Sequence, residues 1–191
     1  NVAYCGHVLD LARRLKCRGV IHLSSVVTFK FDGGAITEES ARETEHKDKP
    51  FYSGVKIATD EALRDASNGM PVVFVRPGFI LGPGHPNVIV GTAAKVFGGW
   101  IVLLGNPRQI LPVIPRTLVQ EALARIVQRE SWPHGESILL VDPQSPSKRD
   151  FVRASMSELG QGTHLLAMGR WFWWPAALAG EVLARLLGQK H

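Results

Sequence analysis

The sequence predicts an α/β fold built on a parallel sheet, followed by a smaller lobe of mixed and helical character. Three observations lead there. Two short and mainly apolar runs, VIHL at 20–23 and VVFV at 72–75, have the length of strands but lack the alternation of a half-exposed one; strands buried on both faces of a parallel sheet look like this. Each run follows a segment with helical period, and helix–strand alternation is the pattern of parallel sheets. The chain has 191 residues, 45% of them hydrophobic and 20% charged, which suffices for a core and excludes a disordered or fibrous protein.

The first helix is marked by Tyr4, Val8, Leu11 and Leu15, three or four residues apart, with Arg13, Arg14 and Lys16 near its end, where the macrodipole favours cations. Gly19 breaks it, and the first strand ends in Ser24-Ser25. Residues 30–50 are polar and aperiodic and predict a loop. Val55, Ile57, Ala58, Ala62 and Leu63 predict a second helix, closed by Asn68-Gly69. The second strand runs into Arg76-Pro77-Gly78, and GPGHPN at 82–87 is loop by composition. Further on, helical signals recur from Val90 to Phe97, strands are expected at 100–104 and 138–141, and Ile110–Ile114 is another apolar run after the turn at 105–107. Thr117 and Gln120 have the spacing of a capping box ahead of a helix through Leu118, Ala122, Leu123, Ile126 and Val127. The final stretch carries Trp171, Trp173 and Trp174 and an amphipathic helix with Leu178, Val182, Leu183, Leu186 and Leu187. Arg170, Glu181 and Arg185 interrupt it too often for a membrane span. The tryptophans then have two readings, packing within the protein or contact with a membrane surface.

The net charge of +5 is mild and scattered, so no nucleic-acid partner is expected. Two cysteines, Cys5 and Cys17, make no disulfide framework, and the seven histidines have no metal-ligand spacing. With no basic start followed by an apolar block at the beginning of the chain, a cytoplasmic setting is expected.

Chemistry concentrates at three places in order: Ser24-Ser25 at the carboxyl end of a strand, Tyr52 with Lys56 four residues on, and Arg76-Pro77-Gly78 ending the next strand. Ligands of open parallel sheets bind beyond the carboxyl ends of the strands. A Tyr and a Lys four apart lie one helical turn from each other on one face. A phenol with an ordinary pKa near ~10 is a poor base at neutral pH; an adjacent ammonium favours the phenolate and makes proton exchange useful. A serine at the strand end can hold the oxygen of the reacting group. The trio suits proton transfer coupled to hydride transfer by a nicotinamide cofactor. Alone, each has a plainer reading: a surface pair on a helix for Tyr52 and Lys56, a core residue for His22, a solvated loop for Glu38, Glu39, Glu43 and Glu45.

Together the stretches HLSSVVTF, YSGVK and VVFVRPGFILGPG, in that order, with TEES before the tyrosine, resemble the extended short-chain dehydrogenase/reductase family, the NAD-dependent epimerase/dehydratase group. The resemblance implies the carboxyl-terminal part of a Rossmann-like sheet in residues 1–82 and a substrate lobe in 83–191. It implies Tyr52 as catalytic acid/base, Lys56 on the nicotinamide ribose, Ser25 polarising the substrate, and Arg76, Pro77 and Gly78 beside the nicotinamide end of NAD or NADP. Phe79 and His85 are candidates for substrate contact, and the helices at 2–16 and 52–67 for a homodimer. RPGF after the second strand resembles the hydroxysteroid dehydrogenase branch more than the nucleotide-sugar enzymes. The family's glycine-rich phosphate loop has no counterpart in the 191 residues. They are therefore expected to represent an amino-terminally truncated piece that binds NAD(H) poorly alone and leaves Val20–Leu23 as an open sheet edge. Two other functions stay open: a binding module that keeps the fold without chemistry, and a membrane-surface protein acting through its tryptophans.

Overall fold

The structure, a computed structural model, describes residues 2–31, 36–83, 93–95, 100–158 and 164–168. His85 and the tryptophan-rich stretch from 171 onward lie outside the described residues. The chain forms two units, Asn1–Gly82 with Val113–Pro143, and Pro83–Pro112 with Gln144–His191.

In the first unit, helix α1 (Val2–Arg14) leads into strand β1 (Val20–Leu23), a short 3₁₀ turn (Val26–Thr28), helix α2 (Phe51–Ala66) and strand β2 (Val72–Pro77). Strands β3 (Phe79–Leu81) and β6 (Val113–Pro115) form a parallel pair, and helix α3 (Arg116–Gln128) precedes β7 (Ser137–Leu140). The sheet order is β1-β2-β7, both pairings parallel, with α2 and α3 as the crossovers. Strand β2 is central and its six residues are all buried. Successive side chains of a strand point to opposite faces. Val72 and Phe74 accordingly pack with Cys5, Leu9 and Leu63 of the α1–α2 layer, and Val73 and Val75 pack with Ile126 of α3 on the other face. The same alternation puts His22 and Arg76 on the α2 side.

Gly19 is required where β1 begins. A Cβ there would lie 2.8 Å from both the Pro71 carbonyl oxygen and the Trp132 ring, closer than real Cβ atoms come. Asn68 and Gly69 end α2 with φ of 43° and 81°, the left-handed turn that the Asn-Gly pair predicts.

In the second unit, β4 (Ala93–Lys95) pairs antiparallel with β5 (Trp100–Leu104), which pairs parallel with β8 (His164–Met168). Helix α4 (Lys148–Glu158) buries Phe151, Val152 and Met156. The Trp100 and His164 rings lie 4.6 Å apart at register-paired positions.

Several expectations are corrected. The periodic set Tyr4, Val8, Leu11 and Leu15 is exposed, whereas Cys5, Leu9 and Ala12 are buried. The helix carries two apolar stripes, and the narrower one meets α2 and β2. Residues 93–95 form a strand where Val90–Phe97 predicts helix; the run of small and branched residues fits either state until β5 supplies the ladder. Helix α3 starts at Arg116 behind Pro115, with no side-chain cap bond, so Thr117 lies inside the first turn and caps nothing. Residues 113–143 return to the first unit and do not belong to the lobe, because β7 completes the sheet beside β2. Strand β1 is half-buried, not buried on both faces, because its only strand neighbour among the described residues is β2. Helix α4 and strand β8 have no counterpart in the sequence-based expectations.

The packing of α1 predicts opposite outcomes for neighbouring leucines. Leu9→Ala should lower the unfolding free energy by about 2–5 kcal/mol. Leu11→Ala, at 56% exposure, should change it by less than about 0.5 kcal/mol. Urea unfolding at low protein concentration checks both.

Candidate functional site

Tyr52 sits in the first turn of α2 and is 57% exposed. Lys56, one turn on, donates from Nζ to the Leu23 carbonyl oxygen at 2.9 Å, and the same nitrogen lies 5.9 Å from the centroid of the Tyr52 ring. One of the three ammonium protons thus ties α2 to the carboxyl end of β1. The other two have no partner among the described residues.

Asp60 is the next member of this face, one further turn along. It is buried and pairs with the fully buried Arg76 of β2, Nη1 to Oδ2 at 2.6 Å. The two protons of the same Nη1 are shared with Ser24 Oγ at 3.3 Å and Thr28 Oγ1, while Nε donates to Ser137 Oγ at 2.7 Å. Nη2 is buried without a hydrogen-bond partner. The guanidinium carbon lies 5.1 Å from the Phe29 ring centroid and 5.5 Å from that of Phe74. His22 Nε2 approaches Asp60 Oδ1 to 3.1 Å, but off the line of a hydrogen bond, so the contact is electrostatic. Burial raises the Asp60 pKa, but the His22 ring, the Arg76 guanidinium and the Ser24 hydroxyl outweigh it and hold the carboxyl below its ordinary value.

Ser25 is buried and caps the 3₁₀ turn, its Oγ accepting from the Val27 N–H at 3.4 Å. Its hydroxyl proton stays available to donate. The Thr28 hydroxyl donates to the Ser25 carbonyl at 2.7 Å, and α2 packs against this turn. The structure therefore gathers Tyr52 with Lys56 at the end of β1, and Ser24 and Thr28 around Arg76, with Ser25 capping the turn between them. Arg76 is fully buried, its Nε and Nη1 turned to protein acceptors and its Nη2 without one, and the Gly78 N–H donates to the Leu140 carbonyl. Phe79 is 48% exposed and open to a ligand.

The acidic loop has a structural use. Glu38 Oε1 accepts from the Leu139 N–H at 3.1 Å and so covers the free edge of β7. Glu43 pairs with Lys49 at 2.7 Å. Glu38 and Glu39 also line a pocket of about 520 Å³ with Arg42, Arg64 and Ser137. Asp60 and Thr28 are the members that sequence reasoning missed. The signal for Asp60 was present: a carboxylate four residues after Lys56 on a helix face that docks on a sheet.

Comparison with known proteins gives the family. The profile of an NAD-binding family described as "Male sterility protein" matches residues 1–126, well over half of the chain. The chain belongs to this NAD-binding family. Its fold is that of NAD-dependent epimerases and dehydratases of known structure. The solved structures it resembles include UDP-glucuronic acid 4-epimerase from Bacillus cereus in complex with UDP-glucuronic acid and NAD, 16% identical over 88% of this chain and 54% of that one, with a TM-score of 0.66. The dTDP-glucose 4,6-dehydratase of Bacillus anthracis in complex with NAD is 16% identical over 86% and 54%, TM-score 0.64. DesIV, the dTDP-glucose 4,6-dehydratase of Streptomyces venezuelae, is 19% identical over 88% and 53%, TM-score 0.63. The family member described here spans about half the length of these structures. No curated protein sequence matches it.

The buried pair sets an acid limit on stability. Folded Asp60 holds its proton less tightly than the unfolded chain does. Its contribution is therefore complete above the ordinary carboxylate range and is lost as pH falls through the folded value, below about pH 4. Asp60→Asn should cost about 3–5 kcal/mol at pH 7 by leaving Arg76 unpaired, and should flatten the fall in stability between pH 5 and 3 (about the carboxylate range). Urea titrations across that range measure both effects.

Proposed function

We propose that the protein acts as an NAD(P)-dependent oxidoreductase of the epimerase, dehydratase or dehydrogenase kind, with Ser25, Tyr52 and Lys56 as its acid–base set. The observation that carries this reading is the bond from Lys56 Nζ to the Leu23 carbonyl with the Tyr52 ring alongside. It holds a phenol and an ammonium together at the carboxyl end of a parallel strand, where ligands of such sheets bind. Tyr52 takes the proton from a substrate hydroxyl, or returns it to a carbonyl oxygen. Ser25 donates its hydroxyl proton to that same oxygen and fixes its position. Lys56, with two donors left over, suits the hydroxyls of a nicotinamide ribose and keeps positive charge beside the phenol. NAD or NADP supplies the hydride chemistry when bound. Phe79, exposed after β2, offers an apolar face to the substrate.

The glycine-rich phosphate site that the family resemblance calls for has no counterpart in these residues, so we assign them the acid–base half of the chemistry and expect weak NAD(H) binding by the 191-residue chain alone. A panel of UDP-glucuronic acid, dTDP-glucose and hydroxysteroids, followed by NADH absorbance, tests the reading on the full-length natural protein. Tyr52→Phe should lower turnover by a factor of about 10² or more and leave NAD affinity, measured by calorimetry, nearly unchanged. Turnover at the parental rate in that variant overturns the role of Tyr52.

For the exposed stripe of α1 the proposed occupant is a second copy of the chain. Tyr4, Val8 and Leu11 of α1, with Leu15 just past its end, are 68%, 49%, 56% and 66% exposed and continue one row along a helix that packs beside α2. A row of this kind is self-complementary about a two-fold axis. Leu11→Arg should convert a dimer to a monomer in sedimentation experiments; a monomeric parent protein rules the interface out.

A further inference from the structure

We propose that Arg76 is a positioning residue, whose guanidinium fixes the Ser24–Ser25 turn relative to the helix that carries Tyr52 and Lys56. The proposal rests on the reading of those residues as the acid–base set, and it moves Arg76 from the cofactor's surroundings to the framework beneath the site. Four acceptors on three segments converge on one planar group: Ser24 Oγ and Thr28 Oγ1 in the stretch after β1, Asp60 Oδ2 on α2 and Ser137 Oγ on β7. Thr28 passes the constraint on, because its hydroxyl donates to the Ser25 carbonyl. Asp60 passes it along α2, since Tyr52, Lys56 and Asp60 stand at intervals of four residues, about 6 Å of helix each.

Two further facts favour positioning over simple cohesion. Phe29 and Phe74 lie within 5.1 and 5.5 Å of the guanidinium carbon, so the group has little room to turn. An apolar pair of similar volume commonly stabilises a fold as well as a buried ion pair does; what it does not supply is a fork of donors with fixed directions. Lysine in its place would keep the charge but, as a point donor, would not span Ser137 and Asp60 together.

The test uses the chain's two tyrosines, Tyr4 and Tyr52. Labelling with 3-fluorotyrosine gives two fluorine resonances, assigned by Tyr4→Phe. Tyr4, exposed on α1, reports whether the fold persists; Tyr52 reports the start of α2. Recorded well below each variant's unfolding temperature, these lines follow native geometry and are insensitive to a mere loss of stability. In Arg76→Lys and in Asp60→Asn the Tyr52 line should move by more than its width while the Tyr4 line stays in place. In the full-length protein, acting on whichever compound of the panel above it turns over, kcat should fall by about 10- to 100-fold with KM nearly constant. A Tyr52 line that stays in place in both folded variants overturns the proposal. Should those variants fail to fold, Ser137→Ala and Thr28→Val, each lacking one acceptor, decide it by the same resonance. Undiminished turnover in Tyr52→Phe would defeat the acid–base reading alone, and the fluorine spectra would still decide whether Arg76 positions the helix.

Discussion

The ion pair between Asp60 and Arg76 is the contact on which the rest of the site depends. A guanidinium with no solvent exposure is tolerated only where a carboxylate and further acceptors replace its water. That requirement brings three segments distant in sequence, residues 24–28, α2 and β7, to one point on β2. It also explains why an arginine follows Val, Val, Phe and Val in β2: the alternation of the strand directs position 76 toward the α2 layer, where the acid stands.

The site above this joint is thinly held by comparison. Tyr52 is more than half exposed, and Lys56 reaches the main chain through one hydrogen bond. Such exposure suits groups that must meet a ligand, and it leaves their placement to the helix below them. Rigidity resides in the buried network and access at the helix start.

Much of this was legible in the residues. The apolar runs at 20–23 and 72–75 marked both parallel strands; full burial on a central strand erases alternation at 72–75, whereas 20–23 is half-buried beside it. Asn68-Gly69 gave the helix end through its backbone preference, and the Tyr52–Lys56 spacing gave the paired groups. What was hidden needed knowledge of partners. The face of α1 was misjudged because Cys5, Leu9 and Ala12 are smaller and fewer than the exposed Tyr4, Val8, Leu11 and Leu15, so periodicity followed the wrong stripe. The family resemblance drew attention to Arg76 as a neighbour of the cofactor; that its side chain is buried against Asp60 has no mark in the local sequence. The return of residues 113–143 to the first unit was invisible because the pairing of β2 with β7 over some sixty residues leaves no local mark.

The most direct measurement is a crystal structure of the full-length protein with NAD and a substrate that it turns over. The account predicts Tyr52 Oη and Ser25 Oγ both within hydrogen-bond distance of one substrate oxygen, Lys56 Nζ on the ribose, and Arg76 still enclosed with Asp60 and out of reach of either ligand. Tyr52 and Ser25 opening onto separate clefts, or an Arg76 guanidinium swung out to the cofactor, would contradict it.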